Sequence, residues 1–188
     1  MRIISGNFKG KKILEPNDFK TRPLKDLTKE SIFNIIQHSN KFNLNLKNST
    51  VLDLFSGVGS FGIECLSRGV KKVIFVENYL KVLPILKKNL VNLKSVDNYE
   101  IIEKNIYKDD ELFFLNLKFD IIFLDPPYKD KNIGDLLIKI EKSKIINRNG
   151  IIVLHRHKDE NDNFPSKFKI LEKKKYGISK IFFLSLIK

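Results

Sequence analysis

The chain has 188 residues, 42% hydrophobic and 30% charged, a size and balance that suit one principal soluble globular domain with an ample core. It contains no apolar stretch near the ~20 residues that span a bilayer, no signal-peptide core at its start, and one cysteine, Cys65; a disulfide framework is excluded and a reducing, cytoplasmic setting is expected. The net charge of +13 favours a polyanionic partner through phosphate contacts, but only five of the 35 basic residues are arginine, so part of that charge reads as a solvated lysine surface.

Residues 1–25 read as a basic lead-in. The runs Arg2-Ile3-Ile4-Ser5 and Lys11-Lys12-Ile13-Leu14 flank Gly6-Asn7-Phe8-Lys9-Gly10, a hairpin with glycine in its turn. Arg2, Lys9, Lys11, Lys12, Lys20, Arg22 and Lys25 outweigh Glu15 and Asp18, which suits either nucleic-acid backbone or a solvated hairpin. After Thr21-Arg22-Pro23, Asp26 is placed to cap a helix with Ile32, Phe33 and Ile36 on its apolar face. The polar segment from His38 to Thr50 marks the boundary between an extension over 1–40 and a main domain over 41–188.

From residue 51, strand-like and helix-like blocks alternate. Val51-Leu52-Asp53-Leu54-Phe55 is a buried strand, followed by Ser56-Gly57-Val58-Gly59-Ser60-Phe61-Gly62 and a helix to about Arg68 in which Cys65 is core filler. Val73-Ile74-Phe75-Val76 is a second strand, ending on Glu77 and Asn78. Leu80, Leu83, Leu86, Leu90 and Leu93 recur at helical spacing, and Pro84 places the helix start near Leu80, where its missing N–H falls in the unbonded first turn. Tyr99–Ile102 is a third strand ending near Asn105, and Phe119–Leu124 is the fourth. A helix over 132–144, a strand over 151–154 and a hairpin from 168–174 and 181–187 around Tyr176-Gly177-Ile178-Ser179 complete the chain. Near-continuous apolar strands alternating with helices predict a mostly parallel sheet covered on both faces, with an antiparallel addition at its end.

Two stretches carry chemistry. Gly57-x-Gly59-x-x-Gly62 follows a strand and opens a helix, with Glu77 about the right distance on for ribose hydroxyls, which matches a dinucleotide fingerprint. Asp53 in the preceding strand weighs against it, because a carboxylate opposes a pyrophosphate and favours a cation such as S-adenosylmethionine (SAM), a sulfonium with no phosphate. Asp125-Pro126-Pro127-Tyr128 ends the fourth strand. It supplies a fixed acceptor, two proline carbonyls with no adjacent N–H, and a ring for stacking, as an amino group on a nucleobase requires; a plain turn uses the same residues.

Taken together these motifs resemble the bacterial 16S rRNA guanine-N2 methyltransferase family usually called RsmD, among the class I SAM methyltransferases. The resemblance rests on Arg2-Ile3-Ile4-Ser5-Gly6 with Lys9-Gly10-Lys11, on Thr21-Arg22-Pro23 with Glu30-Ser31-Ile32-Phe33-Asn34, on Val51 to Gly59, and on Phe123 to Tyr128, and covers almost the full length. It implies a Rossmann-like seven-stranded α/β sheet with a C-terminal antiparallel hairpin and a small N-terminal hairpin and helix. It further implies methyl transfer to a guanine N2 in small-subunit rRNA, with Asp125, Pro126, Pro127 and Tyr128 catalytic. Asp53, Phe55, Ser56, Gly57, Gly59, Glu77, Asn78, Asn105, Ile106 and Asp125 would hold SAM, with both Glu77 oxygens on the ribose. Arg2, Lys9, Lys11, Lys12 and Arg22 would contact RNA, and the protein would act as a monomer without metal or membrane.

The chain departs from the family pattern at Lys104-Asn105-Ile106, where Gly-Asp is commoner, and at His155-Arg156-His157, where Glu-His is commoner. No role carries over to the latter run. Two histidines are too few for a metal site, and a charged or solvated strand end is expected there. A DNA amino-methyltransferase would use the same Asp-Pro-Pro-Tyr geometry but needs a large recognition domain, and an NAD(P) oxidoreductase would use the glycine loop alone.

Overall fold

The computed structural model describes residues 1–16, 24–108, 112 and 116–187. Helix α1 (Asp26–His38) precedes an alternating series: β1 (Thr50–Leu54), α2 (Ser60–Ser67), β2 (Lys72–Val76), α3 (Leu83–Val91), β3 (Tyr99–Ile102), β4 (Phe119–Leu124), α4 (Ile133–Lys142) and β5 (Ile146–His157). The hairpin β6 (Phe168–Tyr176) and β7 (Ser179–Leu186) closes it. One seven-stranded sheet results, in the order β3-β2-β1-β4-β5-β7-β6. Strands β1 to β5 pair in parallel, and β7 is antiparallel to both of its neighbours.

Side chains alternate between the two faces with the strand period of two. On one face Val51, Val73, Ile121 and Val153 pack with α1, α2 and α3; on the other Leu52, Ile74, Ile122 and Ile152 pack with α4. Gly62 brings α2 tight against the sheet, since a Cβ there would sit 2.2 Å from the Phe75 ring. The N-terminal arm joins the first face through Ile3 and Ile13. Its hairpin consists of one antiparallel bridge, Arg2 to Lys12, with Ile3 N–H donating to the Lys11 carbonyl at 2.9 Å. Glu64 on α2 holds it down, because its carboxylate accepts from the Ile4 and Ser5 N–H groups at 2.7 and 3.0 Å. Arg68 (2.8 Å) and the fully buried Lys29 (3.8 Å) neutralise that buried charge.

Four local expectations are corrected. Asp26 does not cap α1: Lys25 is the N-cap, without a side-chain bond, and the Asp26 oxygens face the Arg2 N–H and guanidinium. Helix α3 begins at Leu83, so Pro84 does fall in its first turn, but Leu80 lies outside it and is 76% exposed. The preceding chain turns instead because Glu77 captures the Asn78 and Tyr79 N–H groups. Strand β5 has 12 residues, since β7 supplies partners as far as His157. His155 and Arg156 are therefore interior strand residues, both buried, and not a solvated end.

Candidate active site

The order β2-β1-β4 makes β1 and β4 neighbours from which the chain departs in different directions, the switch point where open α/β sheets bind ligands. Leu54 is level with Leu124 across this pair, so the glycine loop and Asp125 emerge side by side. Between them opens a cavity of about 580 Å³.

Beyond β1 the backbone makes a series of left-handed steps, with φ of 61° at Phe55, 55° at Gly57 and 85° at Gly59. The glycines take this conformation without strain, whereas Phe55 is held in it by its surroundings. Ser56 stays buried and donates its hydroxyl to the Asp53 carbonyl at 2.6 Å. Asn89 on α3 ties loop and arm together: its amide donates to the carbonyls of Val58 (3.0 Å) and Leu14 (3.1 Å), and its oxygen accepts from Leu14 N–H (2.8 Å).

Asp53 is 1% exposed, with one carboxyl oxygen accepting from Gly62 N–H at 2.9 Å. Burial pushes this carboxyl well above the ordinary carboxylate range; the Gly62 N–H opposes the shift, and the Asp125 and Glu77 charges add to it. The protonated acid is thus favoured in the free protein at low pH, and a bound cation favours the ionised form. Cofactor affinity should therefore rise with pH up to the raised value, binding should release a proton below it, and Asp53→Asn should abolish both effects. Calorimetric titration of SAM in buffers of different ionisation enthalpy measures this, and an affinity flat in pH contradicts it.

Glu77 is committed differently from expectation. Its Oε2 accepts from Gly57 N–H and its Oε1 from Asn78 and Tyr79 N–H, all at 2.8 Å. A carboxylate offers about four lone-pair sites, so one is left for a ligand hydroxyl. Both oxygens cannot receive a ribose diol while the loop keeps this form.

At the end of β4, Asp125 Oδ1 lies 2.8 Å from His155 Nδ1. The Pro127 carbonyl is not held clear of donors as expected; it accepts from Asp130 N–H at 2.9 Å and Arg156 Nη1 at 3.4 Å. Arg156 also donates to the Asp130 carbonyl (2.7 Å) and pairs with Asp162 (2.7 Å), which clamps the segment after Pro127. The Tyr128 ring leans on His157, centroids 5.1 Å apart, and meets His155 edge-on at 5.9 Å.

Of the residues expected at the site, Asp53, Phe55, Ser56, Gly57, Glu77, Asn78 and all of Asp125 to Tyr128 line the cavity. Gly59 instead N-caps α2. Asn105 and Ile106 do not line it: the Asn105 oxygen accepts from Tyr107 N–H at 3.0 Å, and Ile106 is buried on the α4 face. Leu24, Phe61, Tyr79, Val82 and Lys129 also line it and were not foreseen. Leu24 belongs to the extension, and no sequence signal links it to a loop 30 residues on; Tyr79, two positions after Glu77, could have been found from the ribose expectation. Arg2, Lys9 and Lys12 are exposed on the arm, while Lys11 donates to the Asn92 carbonyl at 2.8 Å and lies over the Phe8 ring. Arg22 lies outside the described residues.

The sheet order, the glycine loop and the acidic end of β4 define a Rossmann-like methyltransferase. A family described as Conserved hypothetical protein 95 matches residues 1–185. The chain belongs to this family, the RsmD family that its motifs resemble. It is 34% identical to the ribosomal RNA small subunit methyltransferase D of Buchnera aphidicola from Acyrthosiphon pisum, over 92% of this chain and 86% of that protein. With the protein of the same name from Haemophilus influenzae the identity is 33%, over 95% and 90%. A Haemophilus influenzae crystal structure described as a methylase superposes with a TM-score of 0.74 at 30% identity, covering 100% of this chain and 99% of that one. An Escherichia coli structure described as a methyltransferase shares the fold at a TM-score of 0.80 and 23% identity, over 99% and 97%.

Proposed function

We propose that this chain transfers a methyl group from SAM to the exocyclic N2 of a guanine in 16S rRNA, within the small ribosomal subunit or its precursor. The observation that carries this reading is the carboxylate of Asp125, placed beside the glycine loop at the switch point and followed by proline and tyrosine. The relatives named ribosomal RNA small subunit methyltransferase D support the substrate class. Asp53, Glu77 and Asp125 line the cavity, with Lys129 as the cation among its described lining residues. That balance suits a sulfonium and an ammonium, and opposes the diphosphate of NAD(P).

Bound SAM supplies a methyl carbon made electrophilic by its sulfonium. The protein's part is to hold SAM with the glycine loop and Glu77 and to prepare the amine. The N2 lone pair is delocalised into the purine, so the amine is a poor nucleophile. Asp125 and the Pro126 carbonyl accept its two N–H bonds and favour a pyramidal nitrogen with its lone pair directed at the methyl. SAM would give up its methyl as the neutral thioether, its C–S electrons staying on sulfur, and the Asp125 carboxylate would lie beside the positive charge that grows on nitrogen. The surplus proton then leaves nitrogen through that carboxylate to water. The guanine must leave its stack, and Tyr128 provides the surface that receives it.

Small subunits from cells lacking the protein, incubated with purified protein and tritiated SAM, should gain one N2-methylguanosine, read by nucleoside mass spectrometry. Label on another base, or none, overturns the reading. The extension over 1–40 serves as the RNA-gripping part. Replacing Lys9, Lys11 and Lys12 with Gln should weaken rRNA binding and reduce its log–log salt slope by about 1 for each phosphate no longer neutralised. An unchanged slope would identify those lysines as solvated surface.

A further inference from the structure

We propose that His155 is a positioning residue that orients the Asp125 carboxylate, with Ser179 fixing the imidazole from behind. The three groups come from adjacent strand positions: Asp125 follows β4, His155 lies near the end of β5, and Ser179 opens β7. His155 Nδ1 is 2.8 Å from Asp125 Oδ1, and His155 Nε2 is 2.9 Å from Ser179 Oγ. The imidazole and the serine are each 5% exposed. A carboxylate accepts, so Nδ1 carries the hydrogen toward Asp125, and in the neutral ring Nε2 accepts from the Ser179 hydroxyl. Both partners of the ring are thereby assigned.

The inference rests on the reading of Asp125 as acceptor for the substrate amine. A carboxylate at a strand end rotates about its last bond and presents either oxygen at a range of angles. Tying Oδ1 to a buried N–H stops that rotation and leaves Oδ2 as the acceptor for the amine. An acceptor fixed before the reaction needs no reorganisation as charge develops, and an error near 1 Å in such a group costs on the order of 100-fold in rate. The same imidazole also stands roughly perpendicular to the Tyr128 ring, centroids 5.9 Å apart, so one side chain orients the acceptor and packs against the stacking surface.

A histidine that merely fills a polar gap predicts a loss of stability; a positioning residue predicts a loss of kcat that depends on which nitrogen is kept. Asn at 155 places an amide nitrogen where Nδ1 stands, and Gln places one where Nε2 stands. His155→Asn should therefore keep kcat within about threefold of the parent, and His155→Gln should lower it roughly 10–100-fold. KM for SAM, and the Kd for S-adenosylhomocysteine by calorimetry, should be unchanged in both. The assay is methyl transfer to undermethylated small subunits, with Asp125→Ala alongside. Equal kcat for the two variants, or a Gln loss confined to KM while S-adenosylhomocysteine still binds as in the parent, overturns the proposal. Should His155→Gln fail to bind S-adenosylhomocysteine, the Asn variant decides alone: a kcat down tenfold or more overturns the proposal, and a kcat within threefold sustains it. Full activity in Asp125→Ala defeats the reading of the site itself, whereas an inactive Asp125→Ala beside a fully active His155→Gln defeats this inference only.

Discussion

Replacing Asp125 with Ala should lower methyl transfer on undermethylated small subunits by roughly 10²–10³-fold and leave S-adenosylhomocysteine binding within a few-fold of the parent. On the proposed reading this carboxylate faces the cation that develops on the amine, and His155 lies 2.8 Å from it. Removing one preorganised group of this kind costs roughly 3–4 kcal/mol of transition-state stabilisation, a loss of 10²–10³ in kcat. Cofactor affinity is spared because the glycine loop is held by Glu77, Ser56 and Asn89, none of which depends on Asp125. Turnover unchanged in a tritiated-SAM assay would remove Asp125 from the chemistry.

Replacing Glu77 with Ala should have the opposite signature, with cofactor binding lost first. One carboxylate, 8% exposed, accepts from three backbone N–H groups and so sets both the turn after β2 and the entry to the glycine loop. Without it, Gly57 N–H has no acceptor, and among the described residues the loop is tied to β2 through Ser56 alone, whose N–H and hydroxyl both reach the Val76 carbonyl at 3.2 Å. Losing one charge-assisted bond of this kind costs about 2–3 kcal/mol. That corresponds to a fall in S-adenosylhomocysteine affinity on the order of 100-fold and a drop in Tm of roughly 5–10 °C for a chain of this size. Glu77→Gln should be intermediate, since its amide oxygen serves one side while its NH₂ confronts an N–H on the other. A Kd within twofold of the parent in Glu77→Ala would show that the loop is held by other means.

These two residues also mark how much of the site was legible. Both sit where an apolar run stops on a carboxylate, a local pattern that needs no knowledge of neighbours, and both line the cavity. Their partners were not legible. Glu77 looked like a ribose ligand with two free oxygens, because nothing local shows that the chain folds back to present three N–H groups to it. His155 and Arg156 looked like a solvated strand end, because their burial is created by β7 lying alongside. Asn105 shows the same limit: its oxygen already accepts from the Tyr107 N–H two residues on, a partner that the strand-end reading did not supply. Asp26 failed as a cap, since its oxygens face Arg2 from the arm and not the helix it begins.

Local pattern along the chain was enough to set the alternation of strands and helices, the bounds of β3 and β4, and the positions of the glycine loop and the Asp125 run. These follow from hydrophobic period and from glycine and proline, which act within a few residues of chain. Only the assembled layers established that β1 lies against β4, that Glu64 and Asn89 fasten the arm to α2 and the loop, and that His155 stands behind Asp125. Each of those pairings joins groups 30 or more residues apart, and which buried polar groups meet is settled by how the layers pack.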